Sequence, residues 1–255
     1  TDNDVSSALA DAIVSFLADM PGAWSLEIEQ VQDVDPTLLR LSEILENSQV
    51  LPEMRVPRVT FPADHRVDLV LSHSMRKQLR RATARIDTDG LTSAVAFDRG
   101  TAITRELIDE VEAVHISRDR FARRDSDLEH PSERAFWRAI VEGRQPGCEV
   151  EIGSLRLDGQ LAAYVVALLD RRTYRVFDGR MDTRFADYSP GRLIEAAALD
   201  RALRDPRFTV LDWMSGVAAE KLLTANSAEG RVRLVASSGR EYLQADRVRE
   251  HAFAT

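Results

Sequence analysis

Apolar residues recur at helical spacing over residues 5–17 (Val5, Ala8, Leu9, Ala12, Ile13, Phe16, Leu17), and Pro21-Gly22 closes the segment, which predicts a helix. Over 24–31 the pattern switches to alternation. Trp24, Leu26 and Ile28 fall on one side and Ser25, Glu27 and Glu29 on the other, as in a strand covered on one face. Asp35-Pro36 opens a second helix, 36–46, after which Pro52, Pro57 and Pro62 confine the chain to extended or edge segments. The pattern then predicts a basic helix 74–86, a strand 92–97, a helix 103–118, a polar loop 119–130 and a helix 132–142. Three strands follow, 148–157, 161–169 and 174–181, joined by the hairpin turns Asp158-Gly159-Gln160 and Asp170-Arg171-Arg172. A helix 190–204, a strand 209–214, a short helix 217–223, a strand 232–236 and a polar C-terminal helix complete the chain.

From residue 92 the order is β-α-α-β-β-β-α-β-α-β, an antiparallel meander that turns parallel across one crossover helix. The run Leu161-Ala162-Ala163-Tyr164-Val165-Val166-Ala167-Leu168-Leu169 is apolar without alternation, so it is expected at the centre of a sheet covered on both faces. The class is mixed α/β. At 255 residues the chain is long for one domain and short for two, and its 44% hydrophobic and 30% charged residues exclude disordered, collagen-like and membrane-spanning classes.

Charge and cysteine content narrow the chemistry. With 34 basic and 42 acidic residues the net charge is −8, so a nucleic-acid binder would have to concentrate its basic residues locally. Two runs do so: Arg76, Lys77, Arg80, Arg81 and Arg85, and Arg118, Arg120, Arg123 and Arg124. They fit either an acidic substrate, nucleotide-sugar or tRNA phosphate, or solvated faces paired with acids such as Asp125 and Asp127. Cys148 is the only cysteine, which rules out an internal disulfide and points to a reducing cytoplasm. No metal is expected, since the histidines lack HExxH spacing, and no Gly-x-Ser-x-Gly, Walker or Rossmann pattern appears. No apolar run is long enough to span a membrane.

The most informative stretch is Asp187-Tyr188-Ser189-Pro190-Gly191-Arg192-Leu193. Ser189 suits an N-cap, Pro190 the first helical position, and Gly191 bares the backbone where a ligand could approach. Free amides, the positive end of the helix and Arg192 then offer a phosphate or pyrophosphate site, although a plain cap that binds nothing has the same residues.

With Arg76-Lys77-Gln78-Leu79-Arg80-Arg81-Ala82, Val114-His115, Leu155-Arg156-Leu157-Asp158-Gly159-Gln160-Leu161-Ala162-Ala163 and Leu211-Asp212-Trp213-Met214-Ser215-Gly216 followed by Glu220-Lys221, this stretch resembles the GNAT superfamily of acyl-CoA N-acyltransferases. The closer likeness is to the CelD-like, cellulose-biosynthesis-associated acetyltransferase branch, related to Fem-type peptidyltransferases. An aromatic usually precedes the family's lysine, where this chain has Glu220. The resemblance implies a GNAT fold with a mixed sheet flanked by helices. It also implies that Tyr188, Ser189, Pro190, Gly191, Arg192 and Leu193 hold the pyrophosphate of acetyl-CoA or another acyl-CoA.

The reaction expected is acyl transfer to a primary amine of a small molecule or sugar, by direct attack in a ternary complex. Asp178 is a candidate base or water-relay residue, or a strand-end acid paired with Arg180. His115 is a candidate acid-base group or a structural hydrogen-bonding group. Asp212 and Lys221 are expected to flank the thioester, with Lys221 as an oxyanion stabiliser or a solvated helix lysine. The alternatives are a Fem-like transferase using aminoacyl-tRNA, the one reading in which nucleic acid is a partner, and a non-catalytic GNAT-like binding module.

Helix, tryptophan-bearing strand, helix and extended segment in the first 60 residues weakly repeat the end of the second half. The expected division is a partial N-terminal GNAT-like lobe over 1–72 and a complete one over 73–255, in a chain that starts partway through a two-lobed protein. The strand at Trp24 would then carry an unpaired edge for a homodimer to cover.

Overall fold

The computed structural model describes residues 2–62, 70–143, 149–214 and 225–239. Within them, six α-helices and eight strands form a mixed α/β architecture. The chain divides into two compact units, Thr1–Val56 with Ala228–Thr255, and Pro57–Ser227.

The first unit holds helices α1 (Asp2–Ala18) and α2 (Pro36–Ile44) and strands β1 (Ser25–Gln32), β2 (Ser48–Thr60, whose last residues belong to the second unit) and β8 (Ser227–Ser237). Asp35 caps α2 as its sequence suggests, its carboxylate accepting from Thr37 N at 2.9 Å and Leu38 N at 3.0 Å. β1 runs antiparallel to β8, from Ser25 opposite Ser237 to Gln32 opposite Arg231, and a bulge near Gln30 (φ 56°) interrupts the pairing. Ala10, Leu17, Leu38, Leu41, Leu45, Leu234 and Ala236 form the core. Helix α1 forms as predicted but buries a neighbouring stripe. Ala10 and Leu17 are buried, whereas Val5, Leu9 and Phe16 are 70%, 52% and 67% exposed. Two apolar stripes lie side by side on this helix, and α2 and the strands meet only one of them.

The second unit orders its strands β7–β6–β5–β4–β3, with residues 58–60 of β2 antiparallel to β7. β3 (Ser93–Arg99), β4 (Glu149–Leu157), β5 (Gln160–Asp170) and β6 (Thr173–Met181) are the expected antiparallel meander. β6 then pairs in parallel with β7 (Val210–Asp212) across helix α6 (Pro190–Arg204). β5 is covered on both faces. Ala163, Val165, Ala167 and Leu169 pack with α6 and α3 (His73–Thr88), while Leu161, Tyr164 and Val166 pack with α4 (Arg105–Phe121) and α5 (Pro131–Val141).

One expectation changes. Helix α4 begins after Thr104, whose hydroxyl accepts from Leu107 N at 3.2 Å, and it runs three residues past Arg118, so Asp119 is helical and not in a loop. The compact units part between Val56 and Pro57 and between Ser227 and Ala228, with β8 paired to β1 in the first and the end of β2 paired to β7 in the second. The expected helices at 217–223 and at the C-terminus, and Cys148, lie outside the described residues.

Candidate active site

The end of β6 leads into a tight loop. Buried Asp182 accepts from Arg184 N at 2.9 Å and pairs with the Arg184 guanidinium at 2.6 Å, which starts a 3₁₀ turn over Thr183–Tyr188. Burial would raise the Asp182 carboxyl, but the Arg184 hydrogen bonds and charge hold it below the usual range. Ser189 follows in the left-handed region (φ 50°, ψ 47°), which costs a non-glycine residue about 1–3 kcal/mol. Its hydroxyl does not cap α6, so the expected role of Ser189 is corrected: it turns the chain, and Pro190 opens the helix. A Cβ built on Gly191 would make ordinary van der Waals contact with the Met181 side chain, nearest at Sδ, 3.7 Å, so packing within the fold does not require glycine here. Arg192 donates to Gln78 Oε1 of α3, Tyr188 OH donates to Asp89 Oδ2 at 2.9 Å, and Arg85 Nη1 donates to the Asp187 carbonyl at 2.7 Å. Leu193 is half-buried against the core. All six residues expected to hold phosphate therefore lie along one loop and first helical turn.

β6 outruns its parallel partner. Thr173, Tyr174 and Arg175 pair with Val210, Leu211 and Asp212, and among the described residues the β7-side edge of β6 has no ladder partner from Val176 to Met181. β6 also bulges at Phe177, since Val166 faces Asp178 while Ala167 faces Val176. The bulge aims Asp178 toward α4, where it meets His115.

Asp178 Oδ2 accepts from Tyr164 OH at 2.9 Å and lies 3.0 Å from His115 Nδ1; Oδ1 accepts from Gly179 N at 2.7 Å and Arg180 Nη1 at 2.9 Å. On the other side of the ring, His115 Nε2 is 3.0 Å from Asp119 Oδ2, and Asp119 Oδ1 accepts from Arg124 at 2.8 Å. A chain of close polar contacts thus runs from Asp178 through His115 to Asp119, the His115–Asp119 link being an ion-pair contact, and ends at exposed Arg124. Burial pushes the Asp178 carboxyl up, but the His115 hydrogen bond and charge, with Arg180 and Tyr164, outweigh it and hold the carboxyl below its ordinary value. Burial first, and then the Asp178 charge, push the Tyr164 phenol well above its ordinary value.

His115 and Asp178 are thus brought together from α4 and β6. Asp212 is placed elsewhere. It is fully buried at the end of β7, where Arg175 (3.0 Å) and Arg58 (3.7 Å) neutralise it and Met214 N donates to it at 2.8 Å. Lys221 lies outside the described residues. Tyr164 and Asp119 join the site without having been singled out. Their signals were a hydroxyl inside an apolar run and a carboxylate one helical turn after His115. Among the described residues no three His, Cys, Asp or Glu side chains group to hold a metal ion, and no helix is long and apolar enough to cross a membrane.

The family model of the GNAT acetyltransferase domain matches residues 73–222, from α3 past the end of β7. The chain belongs to the GNAT acetyltransferase family. No curated protein matches it in sequence. Among solved structures, this GNAT chain is similar to FemX (8% identity, 91% of this chain and 76% of that one, TM-score 0.59). It is similar to L-PGS from Bacillus licheniformis (13% identity, 83% and 67%, TM-score 0.56). A third likeness is to a tandem GNAT protein from the clavulanic acid biosynthesis pathway (14% identity, 91% and 69%, TM-score 0.50). At these identities the likeness is one of fold.

Proposed function

We propose that the protein is an N-acyltransferase of the CelD-like kind, moving an acyl group from acetyl-CoA or another acyl-CoA to a primary amine of a small molecule or sugar. The observation that carries this reading is the edge of β6 from Val176 to Met181, which has no ladder partner among the described residues and leads directly into the loop and start of α6. Acyl-CoA supplies an activated thioester on a pantetheine arm with two amides, and a free strand edge offers such amides main-chain partners. The residues fit the group: α6 presents its first-turn amides beyond Gly191, a Cβ-sized space beside Met181 remains at that glycine, and Arg192 stands in the first turn.

The chain's own groups handle the amine proton. Asp178, saturated by four donors and held ionised, is a weak base that orients His115; the amine proton reaches His115 Nδ1 through Asp178, His115 releases its Nε2 proton to the Asp119 carboxylate and on to water, and Arg124, which stays protonated, steadies Asp119 and carries no proton. Asp212, neutralised by its arginines, fixes the parting of β6 and β7.

Thermal-shift titration with acetyl-CoA tests the reading. At a hundredfold excess over Kd, binding stabilises by about 2.7 kcal/mol, which raises the melting temperature of a chain this size by about 5–10 °C. Gly191→Val should melt near the wild-type temperature without ligand and lose that shift. No shift at millimolar acetyl-CoA would remove the acyl-CoA reading. The aminoacyl-tRNA alternative draws on the fold likeness to FemX and L-PGS. It would show itself as tRNA binding that weakens steeply with salt.

A further inference from the structure

β3 is the barest strand of the second unit. Ser93, Ala94, Val95 and Ala96 are all exposed, so both faces of the strand stand open over four residues, and Val95 is 49% exposed. From Leu91 to Phe97 the chain carries no charge. Asp98 and Arg99 follow, and Arg99 turns inward to Glu151 at 2.7 Å. Among the described residues β3 has one ladder partner, β4, from Ser93 opposite Leu157 to Arg99 opposite Glu151. Alternate residues of β3 therefore direct their main-chain N–H and C=O groups away from the sheet.

Proteins keep such an edge from pairing with bulges, prolines or outward charges, and β3 has none of these over Ser93–Phe97. β1 shows the contrast. Its pairing is also one-sided, yet it bulges near Gln30 and exposes Glu27 and Glu29. A charged strand laid on β3 would find no opposite charge along 91–97, so the edge suits an uncharged, apolar strand. The chain supplies one in β3 itself.

We infer that the β3 edge is an interface for a second copy of this chain, with two β3 strands paired antiparallel about a two-fold axis perpendicular to the sheet. An isologous contact requires one surface to match itself, and this one does. Pairing centred on Val95 sets Ala94 opposite the partner's Ala96 and Asp98 opposite the partner's Thr92. Pairing centred on Ala96 sets Val95 opposite the partner's Phe97 and Asp98 opposite the partner's Ala94. Neither register opposes like charges, and each continues the antiparallel order of β3 to β6 into the second protomer. β3 lies three strands from β6 in the sheet order, so the inference stands apart from the acyl-CoA reading.

Sedimentation of the full chain over about 1–100 µM tests the pairing, since a single short strand pair is an interface at the small end, with a Kd of about 10 µM. The wild type should pass from monomer to dimer across this range, and amides of 92–98 should exchange with deuterium more slowly at the high concentration than at the low. Val95→Lys should keep the melting temperature of the dilute wild type and weaken the dimer about tenfold or more, whereas Val95→Thr should retain it. A wild type monomeric throughout overturns the pairing and leaves the edge to a foreign strand. A dimer that gains its protection outside β3, or that Val95→Lys leaves intact, overturns it as well.

Discussion

Four donors converge on the Asp178 carboxylate, and their effect on stability has a definite sign in pH. Its folded-state pKa lies below the ordinary 3.8, so the ionised group contributes stability above its unfolded value, and that contribution is lost as pH falls through the lower folded value. Asp178→Asn should therefore cost about 3 kcal/mol at pH 7, the scale for breaking a buried ion pair, and the gap to wild type should narrow below pH 4. Urea unfolding at both pH values measures this; a gap that widens in acid would contradict the arrangement. Position in the expected elements and the family resemblance singled out His115 and Asp178 in the sequence, yet their contact joins positions 63 apart and exists only once α4 lies on β6. Tyr164 and Asp119 were hidden for the same reason. Asp212 shows the converse. A carboxylate at a strand end looks available for chemistry until Arg175 and Arg58 arrive from neighbouring strands.

At the scale of elements, local pattern carried most of the fold. Helix α6 starts at Pro190 and ends at Arg204, as its proline and periodicity indicate, and β4, β5 and β6 match their apolar runs and turns. What periodicity could not register was irregularity. The bulge at Phe177 re-aims Asp178, and the left-handed Ser189 replaces a side-chain cap with a turn. Close packing between strands is likewise invisible along the chain. A Cβ on Gly153 would come within 2.7 Å of Phe97 Cε1 and 2.9 Å of Val165 Cγ2. Gly153→Ala should accordingly destabilise by about 1–3 kcal/mol through overpacking between β3, β4 and β5, read as a lowered urea midpoint at unchanged slope. A neutral or stabilising alanine would mean that the ring of Phe97 moves aside freely.

For the whole molecule, the two compact units differ in how the chain builds them. The second is one unbroken stretch, 57–227, that carries its own cores on both faces of β5 and the whole of the matched family domain. Expressed alone, it should unfold in a single cooperative urea transition; a gradual loss of signal would show that it depends on the remainder. The first unit is made from both ends of the chain, with Leu26 of β1 opposite Ala236 of β8. During synthesis at about 5–20 residues per second, β1 therefore waits about 10–40 s for its partner to be made. Through that interval α1 and β1 stand with their apolar residues uncovered while the second unit is still being made. β1 is thus paired only after the residues of the second unit have been made, and α1 with β1 is the segment a ribosome-bound chaperone would have reason to hold.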